Sequence, residues 1–68
     1  MGGFSLAEQI HHDWPTIKII FVSQYSEKAY MEKAITVGAS GYVLKRNAVA
    51  DLLPAIRQVS DGNTFFSH

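Results

Sequence analysis

Two polar residues, Ser23 and Lys45, could bind a ligand, because each comes at the end of an apolar run. Ser23 follows the run at residues 17–22, and Lys45 closes the run at residues 41–45. If both runs are parallel strands, their carboxyl ends meet at one edge of the sheet, where open α/β sheets bind ligands. A hydroxyl and an ammonium group at that edge could bind phosphate or another anion. The alternative is an exposed serine and a surface lysine without a ligand.

Other residues whose types could support catalysis or metal binding are poorly arranged for such chemistry. His11 and His12 are neighbours in the sequence, so on a helix they point about 100° apart and cannot form the i, i+4 pair that binds zinc. We expect them to be solvated. The chain has no cysteine and no Gly-x-Ser-x-Gly motif of the kind that positions a hydrolase serine. The sequence therefore predicts no catalytic residue and no metal site.

Composition narrows the class of protein further. The 68 residues include six basic and six acidic side chains, and this zero net charge argues against a nucleic-acid-binding surface. The longest apolar runs, of about four to six residues, are far shorter than the ~20 needed to cross a bilayer. A hydrophobic content of 47% is too high for a disordered tail. We expect a folded cytoplasmic chain without a nucleic-acid or membrane partner.

The chain alternates between helical and strand patterns. The strand at residues 17–22 is apolar on both faces, which is typical of a parallel strand covered by helices on both sides. A helix of about twelve residues is long enough to join two parallel strands in a right-handed crossover. The predicted class is α/β, in the order α-β-α-β-α with two parallel strands. Helices are predicted at 4–13, 27–37 and 49–61, and strands at 17–22 and 41–45.

Apolar spacing also predicts which helix residues face inward. The expected inward residues are Leu6, Ala7, Ile10 and Trp14 in the first helix, Ala34 and Val37 with Tyr30 or Met31 in the second, and Leu52, Leu53, Ile56 and Val59 in the third. Gly38 is expected to end the second helix in a left-handed conformation. Pro54 would disrupt a helix interior, so we expect the third helix to start with Asp51 as its N-cap or to have a distorted first turn. Phe65 and Phe66 form either a docked tail or an exposed contact.

Several segments together resemble a known family. Residues 38–45, Gly-Ala-Ser-Gly-Tyr-Val-Leu-Lys, resemble the penultimate segment of bacterial response-regulator receiver domains, most closely the NarL/FixJ-like kind that precedes a helix-turn-helix output domain. Residues 19–23 resemble the fourth strand of that fold with its terminal hydroxyl residue. Residues 52–57 and 62–66 resemble the last helix and its exit, and residues 3–6 resemble the start of the third helix. The resemblance covers essentially the whole chain and implies half of a flavodoxin-like, CheY-like doubly wound fold.

The resemblance implies roles for individual residues. Ser23 matches the Ser/Thr that hydrogen-bonds the phosphoryl group, and Lys45 matches the lysine that pairs with a phosphoryl oxygen. Tyr42 matches the aromatic residue whose rotamer reports activation, although a strand tyrosine could equally pack against a helix without such a role. Such domains take a phosphoryl group from a histidine kinase onto an aspartate, with Mg²⁺ bound by acidic residues. Arg46 departs from the family, which often has Asp or Pro after the lysine.

The same resemblance implies that parts of the phosphorylation site lie outside this chain. In the family, the phosphoacceptor aspartate ends the third strand and an acidic pair ends the first, whereas residues 1–68 match only the third helix to the last helix. Asp13, Asp51 and Asp61 are predicted on helices or at their ends. We therefore expect a truncated receiver domain without an output domain, a cofactor or a phosphoacceptor. A histidine kinase would be a partner of the full-length parent only.

Without the third strand, the strand at residues 17–22 becomes an edge of the sheet. An unpaired apolar edge favours pairing with another chain, and each large apolar side chain that is buried contributes roughly 1.5–3 kcal/mol. We expect a homodimer in which two copies of this strand pair antiparallel. The predicted dimer edge comprises Ile19, Ile20, Phe21 and Val22.

Three interpretations of function remain at this point. The first is a two-component signalling module that acts at most through interaction or dimerisation. The second is a fragment without a function of its own that self-assembles through its exposed strand edge. The third is a residual anion-binding site at Ser23 and Lys45.

Overall fold

The computed structural model describes residues 2–66 and shows one parallel sheet with helices packed against it. The strands lie in the order β1-β2-β3, and both neighbouring pairs are parallel. This confirms the predicted α/β class, with one strand more than the pattern indicated. The elements are α1 (Gly2–Asp13), β1 (Ile20–Ser23), α2 (Lys28–Thr36), β2 (Gly41–Leu44), a 3-10 turn (Lys45–Asn47), α3 (Ala48–Ser60) and β3 (Phe65–Phe66).

The additional strand, β3, comes from the segment expected to be a tail. The Phe65 amide donates a hydrogen bond to the Ser40 carbonyl at 3.0 Å, and Phe65 and Phe66 pair with Gly41 and Tyr42. Both phenylalanines are half-buried, and the docked alternative is therefore the one that the structure shows. A strand of two residues is too short for sequence periodicity to reveal.

The core surrounds β2, whose four residues are all buried. Tyr42 and Leu44 lie on one face of the sheet with Ala34 and Ala39, while Val43 alternates to the other face. On that other face α3 packs against β2 and contributes the buried residues Ala55 and Val59. Partly buried side chains complete the first cluster: Phe4, Ile19, Phe21, Tyr30, Met31 and Phe66.

The inward face of α1 differs from the predicted one. Ala7 is buried and Ile10 half-buried, but Leu6 and Trp14 are exposed. The helix instead turns Phe4 and Ala7 inward, and the Phe4 ring lies 5.0 Å from that of Phe21. His11 remains exposed, with its ring beside Gly38. The apolar spacing therefore placed Ala7 and Ile10 correctly but not Leu6 and Trp14, because the helix meets the sheet through Phe4.

In α2 the predicted pattern holds. Ala34 and Val37 are buried, and Tyr30 and Met31 pack at the edge of the core. The helix begins one residue later than predicted, at Lys28, because Glu27 occupies the N-cap position, where its side chain makes no cap bond. Gly38 follows the helix with a φ of +90°, as predicted.

The start of α3 is not where the proline rule placed it. The 3-10 turn that follows β2 leads directly into the helix at Ala48, with Asn47 at the N-cap position. Asp51 is therefore inside the helix, and so is Pro54, contrary to the predicted first-turn position. The predicted inward face holds in part, because Val59 is buried and Leu52 half-buried, whereas Leu53 and Ile56 are exposed and Ala55 is buried instead.

Candidate functional site

The carboxyl edge of the sheet brings together the ends of β1 and β2. Ser23, the last residue of β1, pairs with Leu44, and Lys45 follows Leu44 directly. Neighbouring strands lie about 4.8 Å apart. Ser23 is at the end of one strand and Lys45 directly follows the end of the neighbouring strand, so the backbones of the two residues lie close together. Ser23 is half-buried and Lys45 is exposed. The two residues that the sequence singled out therefore share one edge that is open to solvent.

The Ser23 side chain shapes the turn that follows β1. Its Oγ accepts a hydrogen bond from the Tyr25 amide at 3.1 Å. Serine side chains commonly close turns in this way. A hydroxyl that accepts such a bond keeps its own hydrogen for donation. Ser23 can therefore hold the turn and donate to an anion at the same time.

Tyr42 is almost wholly buried, with 1% of its surface exposed. Its hydroxyl donates a hydrogen bond of 2.6 Å to the Tyr25 carbonyl, and its ring lies 6.4 Å from that of Phe21. A tyrosine can bury its ring in this way when its hydroxyl finds a polar partner. Tyr42 therefore connects the core to the same turn that Ser23 closes.

Tyr25 is the residue of this edge that sequence reasoning missed. Its amide bonds Ser23, its carbonyl bonds Tyr42, and its ring stacks on Tyr30 with centroids 4.5 Å apart and planes inclined by 12°. Two of these contacts use backbone atoms, which have no signature in the residue types. The presence of two tyrosines, at positions 25 and 30, was the one signal for the ring stack. Helical periodicity relates residues within one helix, and Tyr25 precedes α2 whereas Tyr30 lies inside it.

The acidic residues that the sequence singled out are dispersed. Asp13 ends α1, Asp51 lies near the start of α3, and Asp61 caps the end of α3. Hydrogen bonds from His12 and then Gln9 lower the pKa of Asp13 below its ordinary value. Within residues 2–66, no three His, Cys, Asp or Glu side chains are grouped so that they could hold a metal ion.

The outer edge of β1 has no partner strand in the described sheet, where β1 is the terminal strand. Of the predicted edge residues, Ile19, Ile20 and Phe21 are half-buried, and Val22 is 42% exposed.

No helix in the described part of the chain is both long enough and apolar enough to cross a membrane.

The parallel sheet places the chain among the open α/β folds, a class in which ligands commonly bind at the carboxyl ends of the strands. Comparison with known families is more specific. The model of the response regulator receiver domain matches residues 1–57, and the chain therefore belongs to the receiver-domain family. The resemblance seen at residues 38–45 is confirmed.

Individual relatives agree with this assignment. The chain is 38% identical over 64 residues to the Fimbriae Z protein of Escherichia coli K12, covering 94% of this chain and 30% of the relative. It is 34% identical over 66 residues to the uncharacterized transcriptional regulatory protein YvfU of Bacillus subtilis 168, covering 97% of this chain and 33% of the relative. It thus spans about a third of the length of these curated relatives.

A solved structure shows the same fold. The isolated REC domain of RcsB from Salmonella enterica serovar Typhimurium, in the apo form, superposes with a TM-score of 0.89 at 26% identity. The match covers 97% of this chain and 50% of that domain. The elements described above therefore correspond to half of a CheY-like receiver fold.

Proposed function

We propose that this chain works in two-component signal transduction as part of a cytoplasmic response-regulator receiver domain, and that by itself it acts at most as an interaction and dimerisation module. The observation that supports the signalling role is the pairing of Ser23 with Leu44, which sets Ser23 and Lys45 side by side at the strand ends. In the complete protein these two residues would bind phosphoryl oxygens, and Tyr42 would act as the switch aromatic. A histidine kinase would be a partner of that complete protein.

By itself the chain would be neither phosphorylated nor catalytic, and it would hold no Mg²⁺. Phosphoryl transfer requires a positioned acceptor and a metal that bridges oxygens, and Mg²⁺ is usually bound through one or two carboxylates. Ser23 and Leu44 end their strands without an adjacent carboxylate, since Gln24 and Lys45 come next. The missing groups would have to come from residues outside this sequence.

Incubation with acetyl phosphate and Mg²⁺ tests this part of the proposal. Intact-mass spectrometry should show the chain unmodified, while the complete receiver domain of a relative, treated in parallel, gains one phosphoryl group. A stoichiometric acyl-phosphate adduct on this chain, recognised by its cleavage with hydroxylamine, would refute the proposal, and peptide mapping would then identify the acceptor.

A second candidate function is an anion site that Ser23 and Lys45 form without the rest of the domain. It is favoured by the Ser23–Tyr25 hydrogen bond, which leaves the hydroxyl hydrogen free to donate. Titration with inorganic phosphate, followed by NMR, should shift the amide resonances of Ser23 and Lys45. A Lys45→Met variant should bind phosphate roughly tenfold more weakly, the effect of losing one charge-assisted hydrogen bond. The matched control is Lys33→Met in α2, and an equal response in both variants would point to non-specific charge screening.

The proposed dimer uses the outer edge of β1. Its unpaired backbone groups and the exposed Val22 side chain would be covered by the same strand of a second copy. A two-fold axis at this edge requires the two strands to run antiparallel. Pairing in this way would extend the sheet without disturbing the contacts of β1 with β2.

A further inference from the structure

Three independent contacts meet at Tyr25, in the turn between β1 and α2. The backbone of Tyr25 is bonded on both sides: its amide donates to Ser23 Oγ at 3.1 Å, and its carbonyl accepts from the Tyr42 hydroxyl at 2.6 Å. Its side chain makes the third contact, a stack on the ring of Tyr30 with centroids 4.5 Å apart. The turn is thus tied to β1, to β2 and to α2 through one residue.

The ring of Tyr25 is attached to a fixed surface. Tyr30 belongs to α2 and packs against the buried cluster of Ala34, Ala39, Tyr42 and Leu44. Stacked aromatic pairs with centroids 4.5–7 Å apart hold each other in place beyond the effect of burial alone. The stack therefore transmits the position of α2 to the turn.

The turn has few other restraints. Glu27 precedes α2 as its N-cap residue and makes no side-chain bond to the helix, and residues 24–27 belong to no helix or strand. The orientation of the Ser23 hydroxyl depends on where the Tyr25 amide lies, because that amide is its hydrogen-bond donor. Besides the bonds of its backbone to Ser23 and Tyr42, the ring stack is thus the contact through which the side chain of Tyr25 holds this amide.

We propose that Tyr25 is a positioning residue for anion binding: its ring, stacked on Tyr30, holds the turn so that the Ser23 hydroxyl donates towards a phosphate or phosphoryl group that Lys45 also contacts. This inference rests on the anion site proposed above and adds the residue that sets its geometry. In this role Tyr25 does not contact the ligand itself, and it acts only by positioning Ser23.

The test compares Tyr25→Ala with Tyr25→Phe in the 68-residue chain. Inorganic phosphate is titrated while NMR follows the amides of Ser23 and Lys45. Tyr25→Ala should weaken phosphate binding roughly two- to tenfold, which corresponds to the energy range of an aromatic pair. Tyr25→Phe keeps the stack and both backbone bonds, so it should bind phosphate like the unmodified chain. Trp14→Ala is the control, because it removes an exposed aromatic ring at the end of α1.

Two further measurements separate positioning from simple destabilisation. Tyr30→Ala should produce the same loss of phosphate affinity, and the Tyr25→Ala/Tyr30→Ala double variant should lose no more than either single variant. Hydrogen exchange of the Tyr25 amide without phosphate should accelerate in Tyr25→Ala and stay unchanged in Tyr25→Phe. If Tyr25→Ala does not fold, Tyr25→Leu keeps apolar bulk without the stack and is expected to show the same weakening.

The outcomes distinguish this inference from the anion site beneath it. If the unmodified chain binds phosphate and Tyr25→Ala binds it equally well, the positioning role is wrong and the anion site stands. An affinity lost equally in Tyr25→Phe would also overturn the role of the stack. If the unmodified chain shows no phosphate response at Ser23 and Lys45, both the anion site and the role of Tyr25 are overturned.

Discussion

Two hydroxyl groups hold the turn after β1 at the residue scale. Ser23 accepts a hydrogen bond from the Tyr25 amide, and Tyr42 donates one to the Tyr25 carbonyl. The Tyr42 bond starts from a buried ring and ends in an exposed loop. Its loss would therefore leave a carbonyl that water can reach, which limits the cost.

Replacing Tyr42 with phenylalanine isolates this bond. We expect the free energy of unfolding to fall by about 1 kcal/mol, the usual net value of one such hydrogen bond, with the ring packing retained. Urea denaturation followed by circular dichroism measures the change. Tyr30→Phe is the control, because the Tyr30 hydroxyl makes no hydrogen bond within residues 2–66. If Tyr42→Phe and Tyr30→Phe lower the free energy of unfolding equally, the hydrogen bond of Tyr42 does not contribute to stability as proposed.

The Asp13 carboxylate is an exposed group whose pKa is lowered by its neighbours. Hydrogen bonds from His12, and to a lesser extent Gln9, favour the charged form. A lowered folded-state pKa contributes stability at pH values above the ordinary pKa of aspartate, and this contribution is lost as the pH falls through the folded-state pKa. His12→Ala should therefore raise the pKa of Asp13 more than Gln9→Ala does, as NMR titration of the side-chain carbon would show. His11→Ala should leave it unchanged.

Two glycines end helices at the element scale, and they differ in their surroundings. Gly38 and Gly62 both have positive φ values, +90° and +87°. A Cβ at Gly38 would lie 2.6 Å from ring atoms of His11, whereas a Cβ at Gly62 would meet nothing within 4 Å. Only Gly38 therefore combines backbone strain with a steric requirement.

Alanine substitutions at the two glycines separate these effects. Gly62→Ala should cost about 1 kcal/mol of unfolding free energy, from the left-handed backbone alone. Gly38→Ala should cost more, by up to about 1 kcal/mol, because the exposed His11 ring must also move. Adding His11→Ala to Gly38→Ala should bring the cost back towards that of Gly62→Ala. Equal costs for the two single variants would contradict the packing of His11 on Gly38.

Pro54 interrupts the hydrogen bonding of α3 from inside the helix. It has no amide hydrogen for the carbonyl at position 50, and its ring crowds that carbonyl. Pro54→Ala should therefore stabilise the chain by about 1–2 kcal/mol, after allowance for the greater freedom of the unfolded variant. Thermal and urea denaturation measure this gain. Arg57→Ala, a substitution at an exposed position of the same helix, is the control and should change the unfolding free energy by only about 0.5 kcal/mol or less. If Pro54→Ala is less stable than the unmodified chain, the proline is needed for the start of the helix.

At the scale of the whole molecule, the unpaired outer edge of β1 is the feature that bears most on assembly. Val22 is exposed beside unpaired backbone groups, and the rest of the strand is only half-buried. Apolar side chains beside unpaired backbone groups at a sheet edge favour pairing between chains. Whether this edge is covered decides whether the chain is a stable unit.

Light scattering tests the dimer at micromolar concentration. The unmodified chain should have twice the mass of one 7.6 kDa chain, and Val22→Lys should reduce it to that of a single chain by placing like charges opposite each other. Val49→Lys is the matched control, since Val49 is fully exposed on α3, and it should leave the dimer intact. A well-folded monomer in the unmodified chain would contradict the dimer proposal.

Sequence patterns predicted the elements better than their orientation. The inner strand and the left-handed Gly38 were expected from local rules that depend on neighbouring residues alone. The inward positions predicted for Leu6 and Trp14 were wrong, because α1 packs through Phe4 on Phe21, a residue distant in the chain. The N-cap predicted at Asp51 was wrong, because the 3-10 turn after β2 continues directly into a helix that begins at Ala48.

The residue types and their order determined the family, the α/β class and the positions of Ser23 and Lys45, because motif and periodicity are local properties of the chain. The tertiary structure decided that Phe65 and Phe66 form a third strand, and that Tyr25 joins Ser23, Tyr42 and Tyr30 at the carboxyl edge. The third strand and the bond between Tyr42 and Tyr25 both depend on backbone atoms that meet only when distant segments pack together, and backbone atoms are the same in every residue type.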